Sequence, residues 1–479
     1  MVLLFLAFPT LGVSSSLPNI IYILADDLGY GDLSCYGQKR FETPNIDSLA
    51  EEGMRFTAHY SGSSVCAPSR CSLLTGLHTG HAQVRGNAEV MPEGQMPMEE
   101  GTFSLARMLK NQGYVTGLFG KWGLGAPESV TEPLKVGFDR FYGYNCQRLA
   151  HHYYPYFLWD DDRREILWDN FGLERGVYAP TLIHEQALSF IDENRSRPFF
   201  CYYALIQPHA EMLAPEYYME KYRGKFLPES SYSGIDGGPD FRKFAYASQP
   251  EGRAAFAAMV NNIDDYVGDI VGKLKELGID ESTLIIFTSD NGPHEVGGHD
   301  PDFFDSNGPL RGYKRDLYEG GIRVPMIARW PGKIRKRSVS DHVCAFWDVM
   351  PTLADLAGVS PSPKTDGVSF LPTLLGGEQE EHKYLYWEFH ERKGRLAIRK
   401  GKWKGVRYNA ALNPTAKLEL YNLMDDPGEE LDLAEYYPEV VDELDKLMKG
   451  ARVESPVERF NFPIGQTTVR EGLAHEIGD

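Results

Sequence analysis

The 479-residue sequence is poor in cysteine and basic residues, and it lacks a long apolar run. Its six cysteines, at positions 35, 66, 71, 146, 201 and 344, show no paired metal-binding spacing and are too sparse for a disulfide scaffold. Lys and Arg number 49 against 68 Asp and Glu, which gives a formal net charge of -19. Nucleic acids and anionic membranes require a basic surface, so we expect neither as a partner.

The first sixteen residues, MVLLFLAFPTLGVSSS, contain the most apolar stretch of the chain and end in small residues. This pattern is typical of a secretory signal peptide, although the usual Lys or Arg is missing. The stretch is too short to span a membrane. We therefore expect residues 1–16 to be a signal peptide and the protein to be exported, periplasmic or extracellular. A buried first strand is the alternative.

Two short apolar runs, NIIYILA at 19–25 and TLIIFTS at 283–289, are typical of buried parallel strands. Each run is followed by two side chains with oxygen ligands: Asp26 and Asp27 after the first, Asp290 and Asn291 after the second. Open α/β sheets bind ligands at the carboxyl ends of their strands. The two runs therefore predict a shared ligand site.

Strand and helix patterns alternate over most of the chain, and a stripe of apolar residues between 256 and 277 predicts one long core-facing helix. After about residue 375, three short strands separated by turns are predicted at 384–389, 396–399 and 418–422, followed by a final helix in VVDELDKLMKG. We expect an α/β catalytic domain at 17–375 with a doubly wound, mostly parallel sheet flanked by helices. Residues 376–479 are expected to form a smaller α+β subdomain with an antiparallel sheet.

Residues 66–76 read CAPSRCSLLTG and match the signature C-x-P-S-R-x-x-x-L-T-G. With ADDLGYGD, GKWGLG, SDNGPH, YEGGIRVP and FWDVMPTLADLAGV elsewhere, the chain resembles the type I sulfatases of the alkaline-phosphatase-like superfamily. The resemblance implies that Cys66 is oxidised to formylglycine by a formylglycine-generating or an anaerobic sulfatase-maturating enzyme. The alternative is an ordinary buried thiol. Pro68 and Ser69 are expected to open a helix after Cys66, whose N–H groups would face an anion.

The same resemblance implies a metal site, formed by these residues: Asp26, Asp27, Cys66, Asp290 and Asn291. Hard oxygen ligands without a histidine favour Ca²⁺, with Mg²⁺ as a second possibility, over zinc. A bound dication would draw electron density from the sulfur of a sulfate ester. Either polar pair taken alone is equally compatible with a helix cap or a solvated turn.

Four further residues match basic positions of the family. Arg70 would stabilise the hydrated formylglycine, and Lys121 and Lys314 would hold the sulfate and the developing charge of the leaving group. His209, which follows the strand pattern PFFCYYALI, would protonate the departing alkoxide. Taken without their motifs, such lysines are usually solvated and such a histidine is usually structural.

One position departs from the family pattern. Many sulfatases read GKWHLG, where the histidine contacts a formylglycine hydroxyl, and here that position is Gly123. The sequence predicts that His151, in a loop resembling the AHxYYP segment of some sulfatases with this variant, replaces the missing imidazole. His152 and His294 are the alternatives.

The resemblance implies a sulfatase in which a hydroxyl of the formylglycine hydrate attacks sulfur. The expected substrate is a sulfated glycan, based on galactose or N-acetylgalactosamine. A carbohydrate subsite or a packed loop would explain these residues equally well: Arg148, Tyr153, Tyr154, Tyr156 and Trp159. Two other functions stay open, namely a phosphatase or phosphodiesterase of the same superfamily and a catalytically inactive glycan-binding homologue.

Overall fold

Two β-sheets organise the computed structural model, which describes residues 17–462 except 244 and 363. The predicted signal peptide, residues 1–16, lies outside the described residues. The strands are β1 Asn19–Ala25, β2 Met54–Tyr60, β3 Val115–Lys121, β4 Arg140–Tyr144, β5 Phe157–Asp160, β6 Arg163–Ile166, β7 Phe199–Ala204, β8 Thr283–Ser289, β9 Arg323–Arg329, β10 Ser338–Ser340, β11 Cys344–Ala345, β12 Leu385–Phe389, β13 Arg395–Lys400, β14 Trp403–Tyr408 and β15 Glu419–Asn422.

Helices cover both faces of the larger sheet. They are α1 Pro44–Glu52, α2 Cys66–Thr75, α3 Leu105–Asn111, α4 Ala179–Glu193, α5 Glu216–Glu220, α6 Gly252–Glu276, α7 Pro301–Phe304, α8 Glu319–Ile322, α9 Val349–Ala357, α10 Leu371–Leu375 and α11 Pro438–Gly450. The long helix predicted from the apolar stripe at 256–277 is α6. No helix within the described ranges is both long enough and apolar enough to cross a membrane.

The larger sheet has eleven strands in the order β10-β2-β9-β8-β1-β7-β3-β4-β5-β6, with β11 also paired to β2. Its centre, β8-β1-β7-β3-β4, is parallel throughout, whereas β9 and the β5-β6 edge run antiparallel to their neighbours. This mixed, mostly parallel sheet with flanking helices confirms the predicted fold class. β1 and β8 are in register from Asn19 opposite Thr283 to Ala25 opposite Ser289, so the two polar pairs end side by side.

Both faces of β1 are buried, which explains why its sequence is continuously apolar rather than alternating. Ile21 and Ile23 point into one core cluster, which includes residues of α4 and α6. Ile20, Tyr22 and Leu24 point into the other, which includes residues of α2, α3 and α9. Because side chains alternate along a strand, the central strand packs against helices on both sides.

The smaller sheet is antiparallel, in the order β12-β13-β14-β15, and α11 packs against it through Leu444 and Met448. The antiparallel sheet and the closing helix were predicted from the sequence, but strand β14 was not. Its sequence, WKGVRY, carries two charged residues and a glycine that obscure the strand pattern. The domain boundary between 375 and 376 stays a prediction. All six cysteines lie within the described residues, and all are free thiols.

Candidate active site

Cys66 is the first residue of α2, so the helix begins at the cysteine itself rather than after it. Its thiol is 2% exposed and lies 3.4 Å from Oδ1 of Asp26. The Ala67 N–H donates to Oδ1 of Asn87, which caps this end of the helix. Burial, and then the Asp26 carboxylate, raise the pKa of the Cys66 thiol. An unmodified Cys66 is therefore a neutral thiol and a poor nucleophile.

The two polar pairs meet at the carboxyl ends of β1 and β8, as the sequence predicted. The Asp27 N–H donates to Oδ1 of Asp290 over 3.1 Å. The Asn291 amide donates from Nδ2 to Oδ1 of Asp27 over 2.7 Å. All four side chains are buried, with no measurable exposure. Asp27 also adopts a positive φ of 66°, and this conformation turns the chain at the end of β1.

Three buried cations neutralise these carboxylates. Arg70 donates through Nε and Nη2 to Oδ2 of Asp290 at 3.0 and 2.9 Å. Lys121, the last residue of β3, donates to Oδ2 of Asp26 at 2.7 Å. Lys314 donates to Oδ2 of Asp27 at 2.8 Å. The structure therefore brings the predicted basic residues to the acidic cluster beside Cys66.

The ion pair between Lys314 and Asp27 fixes the charges in the pocket. Burial raises the pKa of the Asp27 carboxyl, but Lys314, together with His294 and Lys121, outweighs burial and lowers that pKa to about 2. Burial disfavours the charge of Lys314 as well, yet Asp27 and the other acidic groups nearby raise the lysine pKa. Both groups are thus charged at neutral pH, and an anionic ester entering the pocket would meet a fixed ammonium.

His209 is held next to the same lysine. Its Nε2 lies 2.9 Å from Nζ of Lys314 and 3.3 Å from Oδ2 of Asp27, while its Nδ1 contacts the Ala210 carbonyl oxygen. Burial, and then Lys314, lower the pKa of the imidazole well below its ordinary value. His209 is therefore neutral, with its Nδ1–H donated to the backbone and its Nε2 accepting from the Lys314 ammonium.

His151 lies in the same pocket, where its ring stacks on that of His209 at a centroid distance of 4.2 Å and an angle of 11°. Burial, followed by His209 and Lys121, lowers its pKa well below the ordinary value. His152 instead points toward Glu211, with Nδ1 3.6 Å from the carboxylate. His294 lies behind His209, and its Nε2 contacts the Pro208 carbonyl oxygen at 3.1 Å. The predicted contact of His151 with residue 66 stays a prediction.

A glutamine occupies the space beside Gly123. Gly123 has a φ of 79°, and a Cβ atom there would lie 2.8 Å from Cγ of Gln147. Gln147 is 4% exposed and accepts a 2.8 Å hydrogen bond from Gln95 through Oε1. Any side chain at position 123 would thus require Gln147 to move. The sequence did not single out Gln147, because a lone glutamine in a loop carries no motif.

The acidic cluster has the donor set of a metal site. One ligand atom from each of four residues lies within 4.8 Å of the others: Asp26, Asp27, Cys66 and His209. In addition, Oδ1 of Asn291 is buried and has no hydrogen-bond partner among the residues that the structure describes. A buried amide oxygen without a hydrogen-bond partner, on a residue next to the carboxylate cluster, is suited to a hard cation. The predicted ligands thus fit a dication, and His209 joins them as a neighbour that was not predicted as a ligand.

The aromatic residues for which a carbohydrate subsite and a packed loop were equal alternatives include at least one packing residue. Tyr153 is fully buried, and its hydroxyl lies 2.8 and 2.7 Å from the carbonyl oxygens of Ile206 and His209, so it packs the core. Trp159 donates to Glu93 at 2.6 Å. Tyr246, which the sequence gave no reason to select, contacts the rings of both His151 and His209.

Comparison with known proteins agrees with this geometry. The sulfatase family profile matches residues 18–359, and a profile described as the C-terminal part of N-sulphoglucosamine sulphohydrolase matches residues 312–454. Canine N-acetylgalactosamine-6-sulfatase is 35% identical over 399 residues, which cover 77% of this chain and 68% of that protein. Human arylsulfatase A is 34% identical over 479 residues, covering 90% and 87%.

Solved structures give the same result. The structure of Ps i-CgsB in complex with k-i-k-neocarrahexaose has a TM-score of 0.75 at 26% identity, and the match covers 91% of this chain and 93% of that one. A sulfatase from a glycosaminoglycan locus of Bacteroides thetaiotaomicron has a TM-score of 0.72 at 27% identity, covering 91% and 99%. The extent of these matches and the intact signature at Cys66 establish that the chain belongs to the sulfatase family.

Proposed function

We propose that this sulfatase hydrolyses a sulfate ester of a glycan, with residue 66 converted from cysteine to formylglycine. The observation that carries the proposal is the position of Cys66, at the start of α2 and within 4.8 Å of the ligand atoms of Asp26, Asp27 and His209. Lys121 and Lys314 bind the neighbouring carboxylates from two other elements. The proposed nucleophile and the ammonium groups of Lys121 and Lys314 thus lie together in one buried pocket.

A formylglycine hydrate would supply a hydroxyl nucleophile and an intermediate that releases sulfate by elimination. Substrate binding, charge stabilisation and proton donation depend on other side chains of this protein. Lys121 and Lys314 hold the anionic ester and balance the charge that develops on its oxygens. Lys314 and His209 share a short contact of 2.9 Å, so the proton needed by the leaving alcohol is held at that pair.

We also propose that this pocket binds Ca²⁺. Asp26, Asp27, Asp290 and Asn291 would hold it, and the unpaired Oδ1 of Asn291 supports this assignment. An all-oxygen donor set favours Ca²⁺, with Mg²⁺ as the second choice. The cation would withdraw electron density from a bound sulfate group. Arg70 would keep its contact with Asp290 and position that carboxylate.

Relatives act on sulfated sugars according to their names, which include N-acetylgalactosamine-6-sulfatase and a structure bound to neocarrahexaose. We propose a sulfated galactose- or N-acetylgalactosamine-based glycan for this chain as well. From the apolar segment at 1–16 we further propose export, to the periplasm or the cell exterior. A maturating enzyme that oxidises Cys66 is the partner that this chemistry requires.

The Cys66→Ala variant tests the proposal. We expect loss of at least about a hundredfold in kcat/KM on an aryl sulfate, since losing a covalent nucleophile typically costs orders of magnitude. The melting temperature should stay unchanged. Cys71→Ala is the matched control, because Cys71 is a buried thiol in the same helix and faces the core. Mass spectrometry of the peptide around residue 66 should show an aldehyde in place of the thiol.

Other outcomes would identify the alternatives. A protein with an unmodified Cys66 that binds sulfated glycans without turnover, even after coexpression with a maturating enzyme, would be an inactive homologue. Faster turnover of phosphate esters than of sulfate esters would favour a phosphatase or phosphodiesterase. Residual activity of Cys66→Ala above about a hundredth of wild type would contradict the covalent mechanism.

A further inference from the structure

An aromatic surface lies on the loop that follows β6. Trp168 is 72% exposed and Phe171 is 44% exposed. Their rings stack at a centroid distance of 5.0 Å and an angle of 23°, and Phe171 also contacts Tyr156 at 5.3 Å. We refer to these three residues as the aromatic platform. Contiguous exposed aromatic rings on a soluble protein mark a binding surface more often than scattered single residues do.

Buried polar contacts hold this loop in place. Asn170 is fully buried, donates to the carbonyl oxygens of Pro155 and Val177 at 2.8 and 2.9 Å, and accepts from the Val177 N–H at 2.8 Å. Arg242, 5% exposed, donates to the carbonyl oxygens of Asn170 and Glu174. A surface fixed in this way loses little conformational entropy when a ligand binds.

Two residues close in sequence, Arg242 and Tyr246, contact the platform and the catalytic histidines. The guanidinium of Arg242 lies 5.4 Å from the ring centroid of Tyr156. Four residues later, the ring of Tyr246 contacts His151 at 5.6 Å and His209 at 6.3 Å. Arg242 and Tyr246 thus contact the platform and the catalytic histidines respectively, and the loop 151–156 carries both His151 and Tyr156.

One exposed arginine beside the platform, Arg175, has no carboxylate partner within ion-pair distance among the described residues. Its guanidinium lies 6.0 Å from the ring centroid of Tyr154 and close enough to Asp236 to help lower the pKa of that carboxyl. Because the guanidinium of Arg242 is bound to backbone carbonyl oxygens, Arg175 is the cation at the platform that can reach a ligand. Guanidinium groups bind planar and tetrahedral oxyanions through paired hydrogen bonds.

We propose that the aromatic platform is a second saccharide subsite, which stacks a sugar ring adjacent to the residue being desulfated while Arg175 contacts an anionic group on the glycan. This inference rests on the proposed function and assigns it an extended, anionic substrate rather than a monosaccharide. Aromatic rings supply an apolar face for the C–H side of a sugar, and the arginine supplies charge recognition. The subsite acts in binding and has no part in the chemical step.

Kinetics on substrates of two lengths test this subsite. For Trp168→Ala we expect KM to rise roughly tenfold on a sulfated hexasaccharide, which corresponds to loss of one stacked ring, with kcat unchanged. On a small aryl sulfate both parameters should equal those of wild type. Arg175→Gln should weaken binding of the hexasaccharide in the same way, and its effect should diminish at high salt.

Matched controls use exposed residues away from the platform. Tyr436, which is 74% exposed, is changed to Ala, and Arg337, which pairs with Glu51 on the surface, is changed to Gln. An unchanged KM of Trp168→Ala on the hexasaccharide overturns the proposal, and so does an equal loss on the aryl sulfate. Should wild type hydrolyse no sulfate ester, the proposed function fails. Calorimetric titration of Cys66→Ala and its Trp168→Ala double variant with the sulfated hexasaccharide then decides the subsite on its own.

Discussion

Proton handling in this pocket depends on a few side chains whose charge is set by their neighbours. The Lys314 ammonium is paired with Asp27 and donates to a neutral His209. Against the far face of His209 lies His151, also neutral because burial lowers its pKa. A proton can move along the hydrogen bond between the Lys314 ammonium and Nε2 of His209 without placing a second net charge in the pocket, whereas ring stacking supplies no proton path from His209 to His151.

His151 is the predicted replacement for the family histidine at Gly123, and its removal tests that role. If His151 accepts a proton from the nucleophile, His151→Ala should lower kcat on a small aryl sulfate by about a hundredfold. His152→Ala is the control, since His152 faces Glu211 instead. A variant that keeps full activity on the aryl sulfate but loses it on a glycan would show that His151 contacts the sugar. The measurement is steady-state kinetics on both substrates, with melting temperatures as a check of folding.

The unpaired Oδ1 of Asn291 gives the proposed metal site a test that does not depend on activity alone. A cation bound only by the folded protein stabilises it, so EDTA should lower the melting temperature of wild type. Added Ca²⁺ should restore the melting temperature more effectively than Mg²⁺. Asn291→Ala should lack both responses and retain less metal by elemental analysis. An equal response of wild type and variant to EDTA would contradict the role of Asn291, provided that slow metal release is excluded.

The connection that follows β3 shows how a loop conformation can exclude a side chain. Gly123 has a positive φ of 79° and its missing Cβ leaves room for Gln147. Gly123→Ala should therefore destabilise the protein by about 1–3 kcal/mol, through backbone strain and displacement of Gln147. Gly278→Ala is the control, because Gly278 has a φ of 69° and nothing within 4 Å of its Cβ position. In urea unfolding, Gln147→Ala should relieve the excess cost at position 123 and leave that at 278 unchanged.

The sequence predicted the strands whose pattern can be recognised within a short stretch of chain and missed those that depend on distant partners. β1 and β8 were identified because a strand buried on both faces is apolar at every position, and their polar ends then predicted the site. β14 was missed because its apolar pattern is broken by Lys404 and Gly405. Lys404 is buried in the contact between the two sheets, a long-range partnership that no local pattern reveals.

That contact joins the two sheets of the molecule. Lys404 of β14 lies between two carboxylates, 2.8 Å from Glu319 of α8 and 2.9 Å from Glu429. Glu319 also accepts a 2.6 Å hydrogen bond from Tyr60 at the end of β2. One ammonium cannot fully compensate two buried carboxylates. The two carboxyls therefore differ in pKa: Lys404, with Arg323 and Arg399, outweighs burial and lowers the pKa of Glu319 to about 2, while burial raises that of Glu429 to about 7.

The different pKa values of Glu319 and Glu429 predict how the contact between the two sheets responds to pH. Glu429 binds its proton more tightly when folded, at about 7 against a reference of 4.5, so its contribution to stability is present at low pH and falls as pH rises from about 4.5 through 7. Glu319, whose pKa is lowered to about 2, is ionised in the folded protein across that window, and its titration in the unfolded chain near pH 4.5 is common to wild type and variant. Glu429→Gln mimics the protonated carboxyl, so it should match wild type near pH 4.5 and exceed its free energy of unfolding by the order of 1 kcal/mol at pH 8. Urea unfolding at several pH values measures the difference between the two proteins, in which the titration of other groups cancels.

Glu430→Gln, at the exposed neighbouring position, should show no such pH-dependent difference. A constant difference for Glu429→Gln from pH 4.5 to 8 would mean that Glu429 is already ionised in the folded protein, held by Lys404 as firmly as Glu319 is.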